Sequence, residues 1–235
     1  MWVGARPYLL LALWGALVWA AVIHPGEVNY DSLWLVLENR LLGSGDPRVI
    51  PTILYRMDLG TRLALGAEYL PVRDLSVLLD FMLFGSRFAL HHLSSVIWYL
   101  GGCLLLLALF ARLLGNGWRA FLAALLFTVH PIHVESVAWL ASRKDVVSLA
   151  FSALGLLAFW MAREGRWNRW IPLLGFILAY WAKNTAISLP LLYLGLAVIV
   201  RGERPTSWRW WVEWVVYGLV GALLVLLSMR VGSMV

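Results

Sequence analysis

Seven apolar stretches, at about 8–23, 89–111, 120–140, 146–162, 170–182, 185–200 and 211–229, leave this 235-residue chain little choice of surroundings. Most approach the length of about 20 residues that a helix needs to cross the hydrocarbon core of a bilayer. In lipid every backbone N–H and C=O must find a partner inside the protein, so only helices and closed barrels span. The alternating strands of about ten residues that build a barrel are absent from these runs. With 62% hydrophobic residues, 14% charged residues and a mean hydropathy of +0.79, the composition excludes an ordinary soluble domain. The expected fold is an all-α integral membrane protein of about seven transmembrane helices, residues 1–235 forming one polytopic domain. The fifth run is short, since thirteen residues rise only about 20 Å against a core of about 30 Å. It is expected to be recessed, or to let Lys183 snorkel to the interface.

The net charge of +6 would point to nucleic acid in a soluble protein, but here most arginines flank apolar runs. They read as topology signals, and no nucleic-acid partner is expected. The single cysteine, Cys103, sits in an apolar run and gives no redox information. The first run follows Arg6 but leads into "AAVIHPGE", a poor cleavage context, so it reads as a retained anchor. The loops "RLLGNGWR", "REGRWNR" and "RGERPTSWR" carry Arg112, Arg119, Arg163, Arg166, Arg169, Arg201, Arg204 and Arg209 against only Glu164 and Glu203. The positive-inside rule puts these loops and the N-terminus in the cytoplasm, and seven spans satisfy that throughout. Residues 24–87 then form a long extracytoplasmic loop. Within it, "SLWLVLENRLL" and "DLSVLLDFMLF" have apolar residues at helical spacing with charges between, as helices lying in the outer interface would.

Under this topology "HPIHVESVAWLASRKD", residues 130–145, falls at the outer end of span three and the hairpin into span four. Lys183 ends span five on the same side, and Asp31 in "EVNYDSLW" follows span one there. Both lysines of the protein, Lys144 and Lys183, thus lie opposite the arginine-rich loops. Ionisable residues gathered from separate spans mark a functional site by default. The alternative stays open that Arg143, Lys144 and Asp145 only begin span four, with Asp145 at the helix N-terminus and the cations among lipid headgroups. His130, His133 and Glu135 offer two ring nitrogens and a carboxylate but no third anchored ligand. Contacts to a headgroup or sugar fit them better than a divalent metal, and no cofactor is expected. His91 and His92 precede span two and read as interface residues.

"LFTVHPIHVESVAWLASRKDVVSLAF" resembles the signature of membrane proteins related to the eukaryotic transmembrane and tetratricopeptide-repeat O-mannosyltransferases and their bacterial relatives. "AEYLPVRDLSVLLDFMLFG", followed by "ALHHLSS", is similar to the segment preceding their second span, and the resemblance runs from about residue 25 to 200. It implies a GT-C glycosyltransferase module in a bacterial inner membrane, acting in protein glycosylation. The donor would be a polyprenyl-phosphate-linked sugar used on the extracytoplasmic face, the acceptor a protein or glycan. Asp31 sits where the family's catalytic acid is expected. Arg143, Lys144 and Lys183 fall where phosphate-binding cations belong, and Tyr69, Arg73, His92, His130, His133 and Glu135 join them as substrate-binding candidates. Two positions depart from the family pattern: Ser32 stands where a second acid is frequent, and Asn184 follows Lys183 where Glu is common. No tetratricopeptide period is visible, so a fragment or shortened copy is expected.

The chemistry holds without the family. Sugar transfer from a lipid phosphate needs a base for the acceptor hydroxyl and cations for the charge growing on the leaving phosphate. Asp31 can supply the first; Arg143 as a fork, and the lysines as point charges, can supply the second. A transporter would hold its charges near the bilayer midplane, whereas the span interiors here are nearly free of them. A non-catalytic membrane scaffold related to the same family remains the second hypothesis.

Overall fold

A computed structural model describes residues 4–23, 35–36, 38–205 and 207–233; Asp31 and Ser32 lie outside them. Among the described residues all regular structure is helical. The helices are α1 (Ala5–Trp19), α2 (Ile50–Tyr55), α3 (Leu59–Ala64), α4 (Pro71–Phe84), α5 (Phe88–Leu114), α6 (Gly117–Thr128), α7 (Val134–Ala138), α8 (Arg143–Arg163), α9 (Ile171–Ala182), α10 (Leu189–Gly195) and α11 (Trp208–Gly232).

Among the described residues, four segments are long and apolar enough to cross a membrane: Ala5–Val22, Phe88–Leu114, Leu140–Arg163 and Trp208–Val231. A fifth arises if Gly117–Thr128 and Pro131–Ala138, which meet at a bend of 48°, count as one span. The bend has a local cause. Pro131 brings no N–H and does not favour a helical residue before it, so α6 stops at Thr128 and leaves carbonyls without helical partners. Tyr99 Oη donates to the Phe127 and Thr128 carbonyls at 3.2 and 3.0 Å, and Trp19 Nε1 donates to the Thr128 carbonyl at 3.0 Å. Three helices are tied together at the break.

The expected fifth and sixth spans are shorter. Ile171–Ala182 and Asn184–Val200 are apolar helical segments below spanning length, separated where Lys183 adopts an extended conformation (φ −153°, ψ 127°). The turn between α5 and α6 follows textual signals in the chain: Gly115 takes a left-handed φ of +62°, and Asn116 Oδ1 accepts from the Trp118 and Arg119 N–H groups at 2.9 and 3.2 Å. A glycine past one helix and an asparagine cap before the next is the expected chemistry of a helix–helix connection.

Helices α5 and α8 form the inside of the bundle, with α8 packed along both α5 and α9. About half of the apolar window of α8 is buried (56%), against 17% for α1. Close approach depends on small residues, as is usual between helices in membranes. A Cβ on Gly175 of α9 would lie 2.7 Å from the Gly155 Cα of α8, and one on Gly155 would collide with the Tyr193 hydroxyl. Tyr193 stacks on Phe159 at 5.0 Å and donates to the Pro172 carbonyl at 3.1 Å, which fixes α10 against this crossing. Leu9, Leu13 and Leu17 on α1, and Leu219, Leu223 and Leu226 on α11, face outward, as apolar residues against lipid would.

The segment before α5 departs from its expected form at one place and gains buried charges at another. "SLWLVLENRLL" does not run on as a helix through Leu42: the Asn39 side chain bonds the Leu35 and Ala64 carbonyls and accepts from the Leu41 and Leu42 N–H groups. That competition by an amide side chain turns the backbone instead. "DLSVLLDFMLF" is indeed helical, as part of α4, but with its charges inside. Arg73, Asp74 and Asp80 are buried, while Leu79, Met82 and Leu83 face out. A helix lying in the outer interface also turns its apolar side away from the protein, towards lipid. Helix α4 packs on α5, α8 and α9, and its inner face joins a core of Val36, Leu42, Ile53, Leu65, Val77, Leu78, Phe81 and Leu140.

Candidate functional site

Helices α8 and α9 are consecutive and packed together, so the N-terminus of α8 and the C-terminus of α9 meet at one end of the bundle. Lys144 and Asp145 are at the first, Lys183 at the second, and the turn leading into α4 brings Glu68 and Arg73 to the same end. The remaining arginine-rich loops gather at the other end, where Arg163 pairs with Glu213 at 2.9 Å and with Glu203 at 3.3 Å.

Two kinds of ion pair occupy the site. The inner one is closed. The Arg143 side chain, 3% exposed, donates from Nη1 to Ser94 Oγ at 2.8 Å and from Nη2 to the His91 carbonyl at 2.9 Å and to Asp80 Oδ2. Ser94 Oγ donates in turn to Asp80 Oδ1 at 2.7 Å, and the His91 ring reaches the Gly85 carbonyl at 2.8 Å through Nε2 and lies edge-on to Phe81. Each charge is thereby paired and hydrogen-bonded, the condition under which burial of ions is tolerated. Residues from α4, α5 and α8 are bolted together, and Arg143 faces the protein interior.

The outer pairs are open only on the Glu68, Lys144 and Lys183 side; Arg73 and Asp74 are buried behind them. Arg73 is anchored first: its Nε and Nη2 meet Asp74 Oδ1 at 2.8 and 2.7 Å, and Nη2 also donates to the Leu65 carbonyl. Asp74 is fully enclosed and its Oδ2 accepts no hydrogen bond from the described residues. Burial raises the Asp74 carboxyl above its usual range, with the neighbouring Arg73 acting against that rise. The remaining Arg73 nitrogen, Nη1, donates to Glu68 Oε2 at 3.2 Å, and the same oxygen accepts from Lys144 Nζ at 3.0 Å. Beside it Lys183 Nζ pairs with Asp145 Oδ1. Glu68, Lys144 and Lys183 are each about a third exposed (35%, 31% and 32% of the side chain), so this half of the network meets the surroundings.

Lys144, Lys183 and Arg73 are thus brought to one end, Arg143 lies beneath them, and Asp31 is outside the described residues. Asp145 lies in the first turn of α8, as expected, but makes no capping hydrogen bond; its carboxylate meets Lys183, 38 residues away. Tyr69 is buried and donates to the Leu54 carbonyl at 3.0 Å, with the Arg62 guanidinium over its ring; burial pushes its hydroxyl pKa up. It supports the loop. His91 and His92, expected at the interface, are instead buried in α5. His130 Nδ1 accepts from the Ile132 N–H at 3.2 Å, an N-cap for the turn at Pro131. His133 packs on Phe127 and Tyr99, and Glu135 is exposed on α7. Among the described residues these three make no ion pair with the lysines, and no group of three His, Cys, Asp or Glu side chains is gathered as a metal would need.

Sequence reasoning passed over Glu68, Asp80 and Ser94. A signal existed for Asp80: Arg73, Asp74 and Asp80 recur near helical spacing in a run too apolar to leave three charges unpaired. Glu68 carried none, because its partner Lys144 is 76 residues away.

Comparison with known proteins finds distant similarity to O-mannosyltransferases. The chain is 31% identical over 142 residues to Protein O-mannosyl-transferase TMTC1 of Mus musculus, a match covering 57% of this chain and 14% of that protein. It is 35% identical over 92 residues to Protein O-mannosyl-transferase TMTC2 of Homo sapiens, covering 39% and 11%. Against TMTC4 of Homo sapiens it is 27% identical over 161 residues, covering 61% and 22%. The matched region therefore spans less than a quarter of each of these relatives. No family model matches the chain, and no solved structure matches it.

Proposed function

We propose that this membrane protein is a GT-C-type glycosyltransferase that moves a sugar from a polyprenyl-phosphate donor to a protein or glycan acceptor on the extracytoplasmic face of a bacterial inner membrane. The observation that carries the proposal is the open cation array at one end of the bundle. Lys144 and Lys183 come from separate parts of the chain to a partly exposed position at the ends of apolar helices, and Arg73, itself buried, lies directly behind Glu68 there. A donor tethered to lipid accounts for a site there, since a water-soluble donor needs no membrane. The phosphate contacts belong to Lys144 and Lys183, with Arg143 beneath them as the group that holds α4 on α8. Asp31 is the base for the acceptor hydroxyl. The distant O-mannosyltransferase similarity supports the same class of reaction.

Replacing Lys183 by Gln is expected to impair use of the lipid-linked donor. A lost charge-assisted contact costs about 1.5–3 kcal/mol, or roughly ten- to a hundred-fold in transfer. Sugar transfer from a polyprenyl-phosphate donor in membrane vesicles is the measurement, and parent-level transfer by both Lys144→Gln and Lys183→Gln variants would return the lysines to the role of headgroup anchors.

The proposal includes an orientation: seven spans, N-terminus in the cytoplasm, and the Lys144 end outside. In a Cys103→Ser background, single cysteines at Asp46 and Ser44 are expected to react with a membrane-impermeant thiol reagent in intact cells, and one at Gly165 is not. Labelling of the Gly165 position from outside would reverse the site to the cytoplasmic face.

A further inference from the structure

The outer network holds one carboxylate whose position is unlike the rest. Glu68 Oε2 is shared by two cations from different elements, Arg73 Nη1 at 3.2 Å and Lys144 Nζ at 3.0 Å. Arg73 is already neutralised from within by Asp74 and tied to the Leu65 carbonyl, so it needs no second carboxylate for its own burial. Lys144 makes its ion pair to Glu68 alone among the described residues. The geometry, one anionic oxygen set between a guanidinium nitrogen and an ammonium, is the geometry in which these groups would hold a phosphate oxygen.

The backbone that delivers Glu68 is also unusual. Gly66 and Ala67 stand in succession at φ +82° and +59°. Alanine is rarely found in the left-handed region, and a residue held there persists only where its surroundings fix it. Here the Ala67 N–H bonds the Arg62 carbonyl at 2.8 Å, the Gly66 N–H bonds the Leu63 carbonyl at 3.1 Å, and the next side chain is Glu68 on its two cations. A Cβ on Gly66 would approach Leu35 at 2.9 Å and Arg73 Nη1 at 3.4 Å. The turn is tight against the anchored arginine, and the Glu68 side chain projects from its end to a partly exposed place.

We propose that Glu68 is a displaceable carboxylate that occupies the phosphate position on Lys144 and Arg73 until the lipid-phosphate donor takes it. The assignment rests on the donor-phosphate role of Lys144 given above and deepens it. The contrast with the inner pair supplies the reason. Arg143 and Asp80 are enclosed and each has further partners, so neither can leave without stranding a buried charge. Glu68 and Lys144 are each about a third exposed, and an exposed pair holds its partners weakly, so a stronger anion exchanges for the carboxylate at little cost. With Glu68 in place, Arg73, Asp74, Lys144 and Glu68 sum to zero charge, and the site presents no net field to stray anions. When a phosphate enters, its oxygens take over Lys144 and Arg73 Nη1 and Glu68 turns outward. The site is filled by self-competition when empty, and it admits a ligand whose anionic head outcompetes one carboxylate.

The test is binding of undecaprenyl phosphate to the purified full chain in detergent, read by tryptophan fluorescence, with neutral undecaprenol as the control. Glu68→Gln removes the competing charge and keeps the shape, so the phosphate is expected to bind on the order of ten-fold more tightly than to the parent, with undecaprenol unchanged. Glu68→Asp, one methylene shorter and unable to reach both cations, is expected to tighten binding by less, and it keeps the comparison available should the Gln variant be lost on expression. Lys144→Met is expected to weaken binding of the phosphate in either background. If Lys144→Met weakens binding but Glu68→Gln and Glu68→Asp bind no better than the parent, the exchange is wrong and Glu68 only positions Lys144. If Lys144→Met and Lys183→Met both bind undecaprenyl phosphate as the parent does, the donor-phosphate role itself fails, and the exchange with it.

Discussion

Replacing Arg143 by Met is expected to destabilise the protein by about 3–5 kcal/mol, the cost of removing one partner from a buried ion pair. The loss is large because of what stays behind. Asp80 is buried on α4 and would keep only the Ser94 hydroxyl at 2.7 Å and a distant His91 ring, while the His91 carbonyl would lose its donor from Arg143. Arg143→Lys is expected to rescue part of this, since one ammonium cannot reach Ser94, Asp80 and the His91 carbonyl together as two guanidinium nitrogens do. Pairing Arg143→Met with Asp80→Asn should recover much of the loss, because the stranded charge is then gone, and the cycle isolates the pair. Thermal unfolding in detergent is the measurement. A single-variant loss below about 1 kcal/mol, the size of an exposed pair, would show that Arg143 is not enclosed in this way.

Asp31→Asn is expected to lower sugar transfer by a factor of about a hundred or more while the protein inserts and folds as before. Asp31 stands directly before the apolar run "SLWLVLENRLL", where it could also cap a helix, and the choice of asparagine separates the two roles that compete for this carboxylate. As a helix N-cap Asn ranks with Asp, so a variant whose only task there is capping should perform like the parent. As a base for the acceptor hydroxyl the amide is useless. Transfer near the parent level in a well-folded Asn variant would remove Asp31 from the chemistry, whereas no transfer by the parent itself would favour a membrane scaffold related to the transferases over an enzyme. The two experiments are independent: Arg143 acts through the architecture of the bundle, Asp31 through the reaction.

Several features were legible in the chain alone. The apolar runs place the protein in the membrane and make it helical, because an unpaired backbone cannot remain in lipid. The break near residue 130 follows from Pro131, and the connection between α5 and α6 from Gly115 and Asn116. The collection of Lys144, Asp145 and Lys183 at one end follows from helices joined in sequence, since consecutive helices that pack antiparallel bring alternate ends to the same side.

What only the tertiary structure decided is which charges meet and which way α4 turns. Asp80 and Arg143 are 63 residues apart, Glu68 and Lys144 are 76 apart, and no local spacing relates them. The alternation of apolar and charged positions on α4 does not say which face meets the protein. In water an amphipathic helix turns its apolar face inward, and the polar face marks the outside. Beside a bilayer the protein interior and the lipid are both apolar, so hydrophobic contrast alone does not orient a helix and polar partners take over. Arg73, Asp74 and Asp80 therefore face inward, where partners exist, and Leu79, Met82 and Leu83 face outward. The residue types on α4 determined that it would be a two-faced helix; the positions of Arg143 and Lys144, brought beside it by the fold, determined which face would be inside.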